Sequence, residues 1–175
     1  MPTRADTGDA DYLAFVNGRM TALRRWAYLL TGDSHQADDL VQDTLATVYA
    51  KWHRVSRADN VDAYVHRVLV RTFLNERRRG WWKVRFFGDH APEQPDTAPA
   101  VEEREVLRAA LRRLPAGQQA VLVLRFLCDQ SVADVADHLG VSEGTVKSQT
   151  SHALTAMRRI LGERMPRHLA PEVSQ

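Results

Sequence analysis

The stretch SVADVADHLGVSEGTVKSQTSHALTAMRRI, residues 131–160, decides the fold. Ser131 is placed to cap a short helix whose apolar side chains Val132, Val135, Ala136 and Leu139 recur at helical spacing. Gly140 supplies a tight turn, and Ser142 caps a second helix that turns Val146, Ala153, Leu154 and Met157 inward. A small residue at Ala136, then Gly140, then apolar Val146 is the spacing at which two helices cross closely and lock their angle, so the stretch reads as a helix-turn-helix. The outer face of the second helix is left with Thr145, Lys147, Ser148, Gln149, Ser151 and His152, short polar groups and one cation that suit phosphates and base edges in a major groove. Gln149 is the best base-reading candidate. A plain amphipathic hairpin with a solvated face would share the period, but it has no need of both caps and the glycine.

Working outward, the period of 3.6 holds nearly everywhere. On the C-terminal side of the chain, Val106 to Leu114 reads as a helix stopped by Pro115, followed by helices at Gln118–Cys128, Val132–Leu139 and Glu143–Leu161. On the N-terminal side, Val16, Met20, Leu23, Ala27 and Leu30 mark a helix ending at Thr31 and Gly32. Asp33 can cap a second, with Gln36 completing a capping box and Val41, Leu45, Val48 and Trp52 as its buried stripe. A third begins near Asn60, carries Val61, Tyr64, Val65, Val68, Leu69 and Phe73 inward, and runs into Arg77, Arg78 and Arg79 before Gly80 stops it. Tyr49, Trp52 and Tyr64 fall on apolar stripes and are expected in the core. Between the halves, 88–100 contains Pro92, Pro95 and Pro99 with almost nothing to bury. The expectation is an all-α chain of two small helical domains: a three-helix bundle over 10–87, a flexible acidic linker over 88–101, and a four-helix domain with the helix-turn-helix over 102–165.

Charge is segmented along this layout. Residues 1–50 carry four Lys/Arg against seven Asp/Glu, 57–85 eight against three, 86–103 none against five, and 104–175 ten against seven. A basic run is usually a solvated surface, but Trp81, Trp82, Phe86 and Phe87 are interleaved with the cations of 57–85, which adds stacking surface beside phosphate-neutralising charge. These aromatics are read mainly as closing the end of the first bundle. The lone Cys128 excludes an internal disulfide framework, lies in an apolar run and is read as a core thiol. No apolar run approaches the roughly 20 residues of a membrane span, and the polar N-terminus is no secretory signal, so a cytoplasmic location is expected. The seven histidines have no metal-ligand spacing and no Gly-rich phosphate loop precedes a helix. Asp38, Asp39 and Asp43 diverge around their helix and read as a protein-contacting acidic face. No enzyme, metal or cofactor is expected.

Two motifs in this order resemble a known family. Residues 37–45, ADDLVQDTL, followed by the basic third helix, are similar to region 2 of the RNA polymerase sigma-70 superfamily. Leu114-Pro115, then Gln118 to Val121, then Gly144-Thr145-Val146-Lys147-Ser148 are similar to region 4. With only these two regions and a short linker, residues 10–165 resemble the extracytoplasmic-function (ECF) group, and the run 144–151 is similar to an actinobacterial subgroup within it.

The resemblance implies a promoter-specificity subunit. Asp39, Leu40, Val41, Gln42 and Asp43 match the positions that grip the clamp helices of the polymerase's largest subunit, and region 4 would meet the flap of the second-largest. The loop Arg54 to Asp62 matches the segment that captures an unstacked base of the −10 element. Asn60, Arg67, Arg71, Asn75 and Arg78 supply the −10 surface, and Thr145, Lys147, Ser148, Gln149, Ser151 and His152 the −35 reader. The acidic linker, with Glu93 and Asp96, would thread towards the polymerase interior. An anti-sigma protein is a candidate further partner. Many relatives carry arginine where this chain has Gln149 and His152, which implies an unusual −35 sequence and some pH dependence from His152. The loop also lacks the aromatic residues that housekeeping sigma factors use for melting. The rival reading is an autonomous helix-turn-helix regulator whose N-terminal half senses a signal; a helical adaptor is a third.

Overall fold

A computed structural model of the protein describes residues 4–79 and 99–162. Among these no strand occurs. The helices run α1 Arg4–Thr31, α2 Ser34–Tyr49, α3 Trp52–Val55, α4 Val61–Arg78, α5 Pro99–Arg112, α6 Ala116–Leu122, α7 Val132–Leu139 and α8 Glu143–Leu161, with a π-helical turn over Val123–Leu127 extending α6. The described chain divides into two compact units, one reaching from the start to Phe73 with Asp137–Leu139, the other comprising the rest.

In the first unit α1 packs along α2, and α3 meets both. Of the expected stripe of α1, Val16, Leu23, Ala27 and Leu30 are buried, together with Trp26, while Met20 is only half-buried. Asp33 caps α2, its Oδ1 accepting from the Gln36 backbone N–H at 2.9 Å. The expected capping box is not completed, because the Asp33 N–H is directed at the Thr31 hydroxyl and Gln36 Oε1 is buried without a hydrogen bond. Val41 and Val48 are buried as expected, whereas Trp52 reaches the core from the separate short helix α3, so the bundle has four helices and not three. Tyr49 corrects another expectation. Beside the fully buried Val48 it points the other way, half exposed, with its hydroxyl donating to Asp9 at 2.9 Å. Tyr12 and Phe15 of α1 close the end of this unit, their rings 5.3 Å from that of Trp52. On α4 the inward set is Val65, Leu69, Val70 and Phe73.

Trp26 of α1 also stacks on His66 of α4, ring centroids 3.8 Å apart. Burial pushes the His66 imidazole down to about 4, with nearby positive charge adding to it. The unfolded chain takes up this proton near the ordinary 6.5, so between about 4 and 6.5 it binds more protons than the folded chain. The stabilisation is therefore whole above pH 6.5 and is lost as pH falls towards 4. Urea midpoints measured at pH 7 and pH 5 should draw closer in His66→Gln; an unchanged gap would remove His66 as its source.

In the second unit α6 and α5 both pack on α8, burying Ala110, Leu111, Leu114, Ala120 to Leu124, Val146, Ala153, Met157 and Leu161. α5 begins at Pro99, so the last three residues of the expected linker are helical; proline is tolerated at a helix start because its missing N–H has no partner there anyway. The single helix expected over Gln118–Cys128 changes character at Val123: the Cys128 N–H bonds Val123 O at 2.9 Å, five residues back. Asp129 then takes a left-handed conformation, φ 53°, and turns the chain out of the helix. Cys128 is consequently half-buried, not core. The expected linker over 88–98, the Trp81-Trp82 and Phe86-Phe87 pairs, Glu93, Asp96 and the tail 166–175 lie outside the described residues.

Candidate nucleic-acid and polymerase interface

The helix-turn-helix is built from its caps. Ser131 Oγ accepts from the Asp134 N–H at 3.0 Å while the Asp134 carboxylate takes the Ser131 hydroxyl at 2.6 Å, a reciprocal cap that fixes the start of α7. Gly140 lies at φ 67°, and the Val141 N–H bonds back to Ala136 O at 3.0 Å, a turn that a side chain at 140 would strain. Ser142 Oγ then accepts from the Thr145 N–H at 3.1 Å, starting α8. Ala136 and Val146, the residues expected at the crossing of the two helices, are buried, and so is Val135. Local bonding therefore sets both helix starts and the turn between them.

All six expected groups of α8 reach the surface: Thr145, Lys147, Ser148, Ser151 and His152 are exposed and Gln149 is half-exposed. Their hydroxyls are not equally available. Thr145 Oγ1 is held by Ser142 at 2.9 Å, and Ser148 Oγ donates to Thr145 O at 3.3 Å. Lys147, Gln149 and His152 are thus the longer side chains that can extend into a groove.

On α4, residues 67, 71, 75 and 78 share one stripe, since steps of four, four and three stay on one face of a helix. Arg71, Asn75 and Arg78 are exposed there, opposite the buried Leu69 and Phe73. Arg67 is half-buried and already ion-paired. Asn60 lies just before α4, and its Oδ1 accepts from the Ala63 N–H at 2.9 Å, capping the helix.

On α2 the five expected residues part company. Leu40 and Val41 are 0% and 3% exposed. They belong to the core of the unit, which corrects the expectation that they grip a partner directly: any run of five helical residues spans more than one full turn, and these two fall on the inward side. Asp43 and Gln42 are exposed and Asp39 half-exposed, beside Asp38, whose carboxylate meets Arg24 Nε at 3.2 Å.

Two features escaped the sequence reading. Arg19 of α1 forks onto Asp62 of α4, Nε to Oδ1 at 2.6 Å and Nη2 to Oδ2 at 3.0 Å, an opposite-charge pair at a separation of 43 residues that no local pattern announces. It holds the Asp62 carboxyl below its usual range. The other is the four-residue helix α3, too short for periodicity to mark. Among the described residues no group of three or more His, Cys, Asp or Glu side chains is placed to hold a metal ion, and no helix is long and apolar enough to cross a membrane.

A model of sigma-70 region 2 matches residues 15–83, and a model of sigma-70, region 4 matches residues 104–157. The chain is 34% identical over 157 residues to an RNA polymerase sigma-E factor of Streptomyces coelicolor, covering 86% of each protein. It is 33% identical over 156 residues to the ECF RNA polymerase sigma factor SigL of Mycobacterium tuberculosis, covering 86% of this chain and 88% of that one. Among solved structures, the sigma factor RpoE of Bartonella quintana, in complex with the anti-sigma factor NepR, superimposes with a TM-score of 0.63 at 25% identity, over 86% of this chain and 96% of that chain.

Proposed function

The chain belongs to the sigma-70 family, in its ECF group of alternative sigma factors for transcription initiation, and from this premise we propose how its surfaces divide that work. Asp39, Gln42 and Asp43 on α2 contact the clamp helices of the largest polymerase subunit, with Leu40 and Val41 shaping that turn from beneath. Asn60 with the loop before it, and Arg67, Arg71, Asn75 and Arg78 on α4, take the −10 element. Thr145, Lys147, Ser148, Gln149, Ser151 and His152 on α8 read the −35 element, while the second unit also meets the flap of the second-largest subunit. The domains are 10–87 and 102–165. Catalysis stays with the polymerase, and the factor acts in the cytoplasm. An anti-sigma protein that covers these polymerase-facing surfaces would hold it inactive, as the NepR complex of the Bartonella relative suggests.

The observation that carries this reading is the presence in one chain of a helix-turn-helix with both helix starts capped and of an exposed stripe on α4 with Arg71, Asn75 and Arg78, opposite its buried face. An autonomous regulator has use for the first only. Transcription from genomic fragments by reconstituted holoenzyme, followed by alignment of the start sites, tests it. Gln149→Ala is expected to relax preference at one −35 base pair, by about tenfold, within the 1–3 kcal/mol of a good side chain to base contact. Lys147→Ala should instead weaken all sequences alike and lower the salt slope of binding by about 1. Unaltered promoter selection in both variants would take the −35 role away from α8.

A further inference from the structure

Phe15 and Arg19 stand one helical turn apart on α1, and each reaches one end of the segment that joins α3 to α4. Phe15 packs on Trp52, the first residue of α3, with ring centroids 5.3 Å apart. Arg19 grips Asp62, the second residue of α4, through both of its carboxylate oxygens. The Arg19 guanidinium lies 5.8 Å from the Phe15 ring centroid, so the two side chains support one another. Between these anchors Ser56 to Asn60 are all exposed, while Val55 just before them is buried. Inside the segment the backbone is turned by the bonds Arg57 N–H to Arg54 O and Ala58 N–H to Val55 O, at 3.2 and 3.0 Å.

We propose that Arg19 is a positioning residue for −10 recognition: with Phe15 it makes α1 a splint that holds the exposed loop 56–60 in its capturing shape before DNA arrives. The proposal rests on the reading of that loop as the −10 capture segment. An exposed ion pair contributes little to stability as a rule, and a bidentate arginine fork is the geometry in which it restrains most. Its value here lies in binding. A loop already ordered does not have to surrender conformational freedom when a base enters it. Arg19 also neutralises a carboxylate next to the loop that would otherwise repel promoter phosphates.

The test uses holoenzyme assembled from core polymerase and the full chain. Its probe is a fluorescent single strand carrying the −10 element of a promoter recovered by transcription. Arg19→Ala is expected to weaken capture of that strand about tenfold, the effect of unfixing roughly one residue of the loop, with core binding, −35 duplex binding and the melting temperature nearly unchanged. Arg19→Lys keeps the charge but loses the fork and should fall between. The exchange Arg19→Asp with Asp62→Arg should restore much of the capture, because it rebuilds the pair while removing the cation from position 19. Failure of the exchange to rescue, with the fold intact, would mean that Arg19 touches DNA itself and would overturn the proposal. So would normal capture by Arg19→Ala while Arg57→Ala with Asp59→Ala loses it, which leaves the loop's own role standing. If that loop variant captures normally, the −10 reading of the loop falls, and this inference falls with it.

Discussion

Asp39→Lys combined with Gln42→Ala is expected to abolish binding to core RNA polymerase, and with it transcription, while the protein stays folded and keeps its affinity for a −35 duplex. Leu40 and Val41 are turned into the core, so the outer surface of this turn of α2 is made by Asp38, Asp39, Gln42 and Asp43. Asp38 meets Arg24 at 3.2 Å, and Asp39, Gln42 and Asp43 continue the same outward surface, where a basic partner would meet acidic and amide groups. A lysine at 39 puts like charge against like where the interface desolvates both, at a cost of several kcal/mol, so the dissociation constant should rise about a hundredfold or more. Neither substitution opens a cavity, and surface changes of this kind move stability by only about 0.5 kcal/mol. A pull-down with purified core at moderate salt, run beside a thermal melt and a −35 gel shift, gives the three readings together. A double variant that retains core as well as the parent does would remove α2 from the interface. A parent chain that fails to bind core yet binds specific DNA alone would return the autonomous regulator.

The parts of this molecule that could be read from the sequence are those fixed by bonds between near neighbours. α7 and α8 fall over Val132–Leu139 and Glu143–Leu161, the bounds that Ser131, Gly140 and Ser142 imply, because a cap is a bond between residues three apart. The π-turn at Val123–Leu127 could not be read in the same way. An apolar run fits an α-helix or a π-helix equally, and the choice depends on where Asp129 turns the chain. The start of α1 at Arg4 has no such signal, because residues 4–15 are polar and acidic on most sides, with no stripe to count. At the candidate site the family pattern gives equal weight to five residues of α2, two of which the helical period buries. The Arg19–Asp62 fork joins residues that only the packing of α1 beside the start of α4 brings together.

Phe73→Ala should separate the two faces of α4 by their energies. Phe73 is the largest fully buried side chain among the described residues, and it sits between Arg71 and Asn75, which are exposed on the opposite face. Cutting it back to alanine removes a ring from a packed interior and leaves a cavity, at a cost of about 3–5 kcal/mol. Against a total stability of about 5–15 kcal/mol for an ordinary domain, that is a large share of what holds the first unit together. Urea unfolding should therefore show a midpoint far below the parent's, and promoter activity should fade on warming before it does in the parent. Arg71→Ala with Asn75→Ala is the counterpart: unfolding within about 0.5 kcal/mol of the parent, with −10-dependent transcription lost at every temperature. Were the surface pair to destabilise the chain as much as the buried ring does, α4 would have no face free for DNA. The assignment of the −10 element to it would then lose its physical basis, since a helix can present a stripe to a ligand only if its fold does not depend on that stripe.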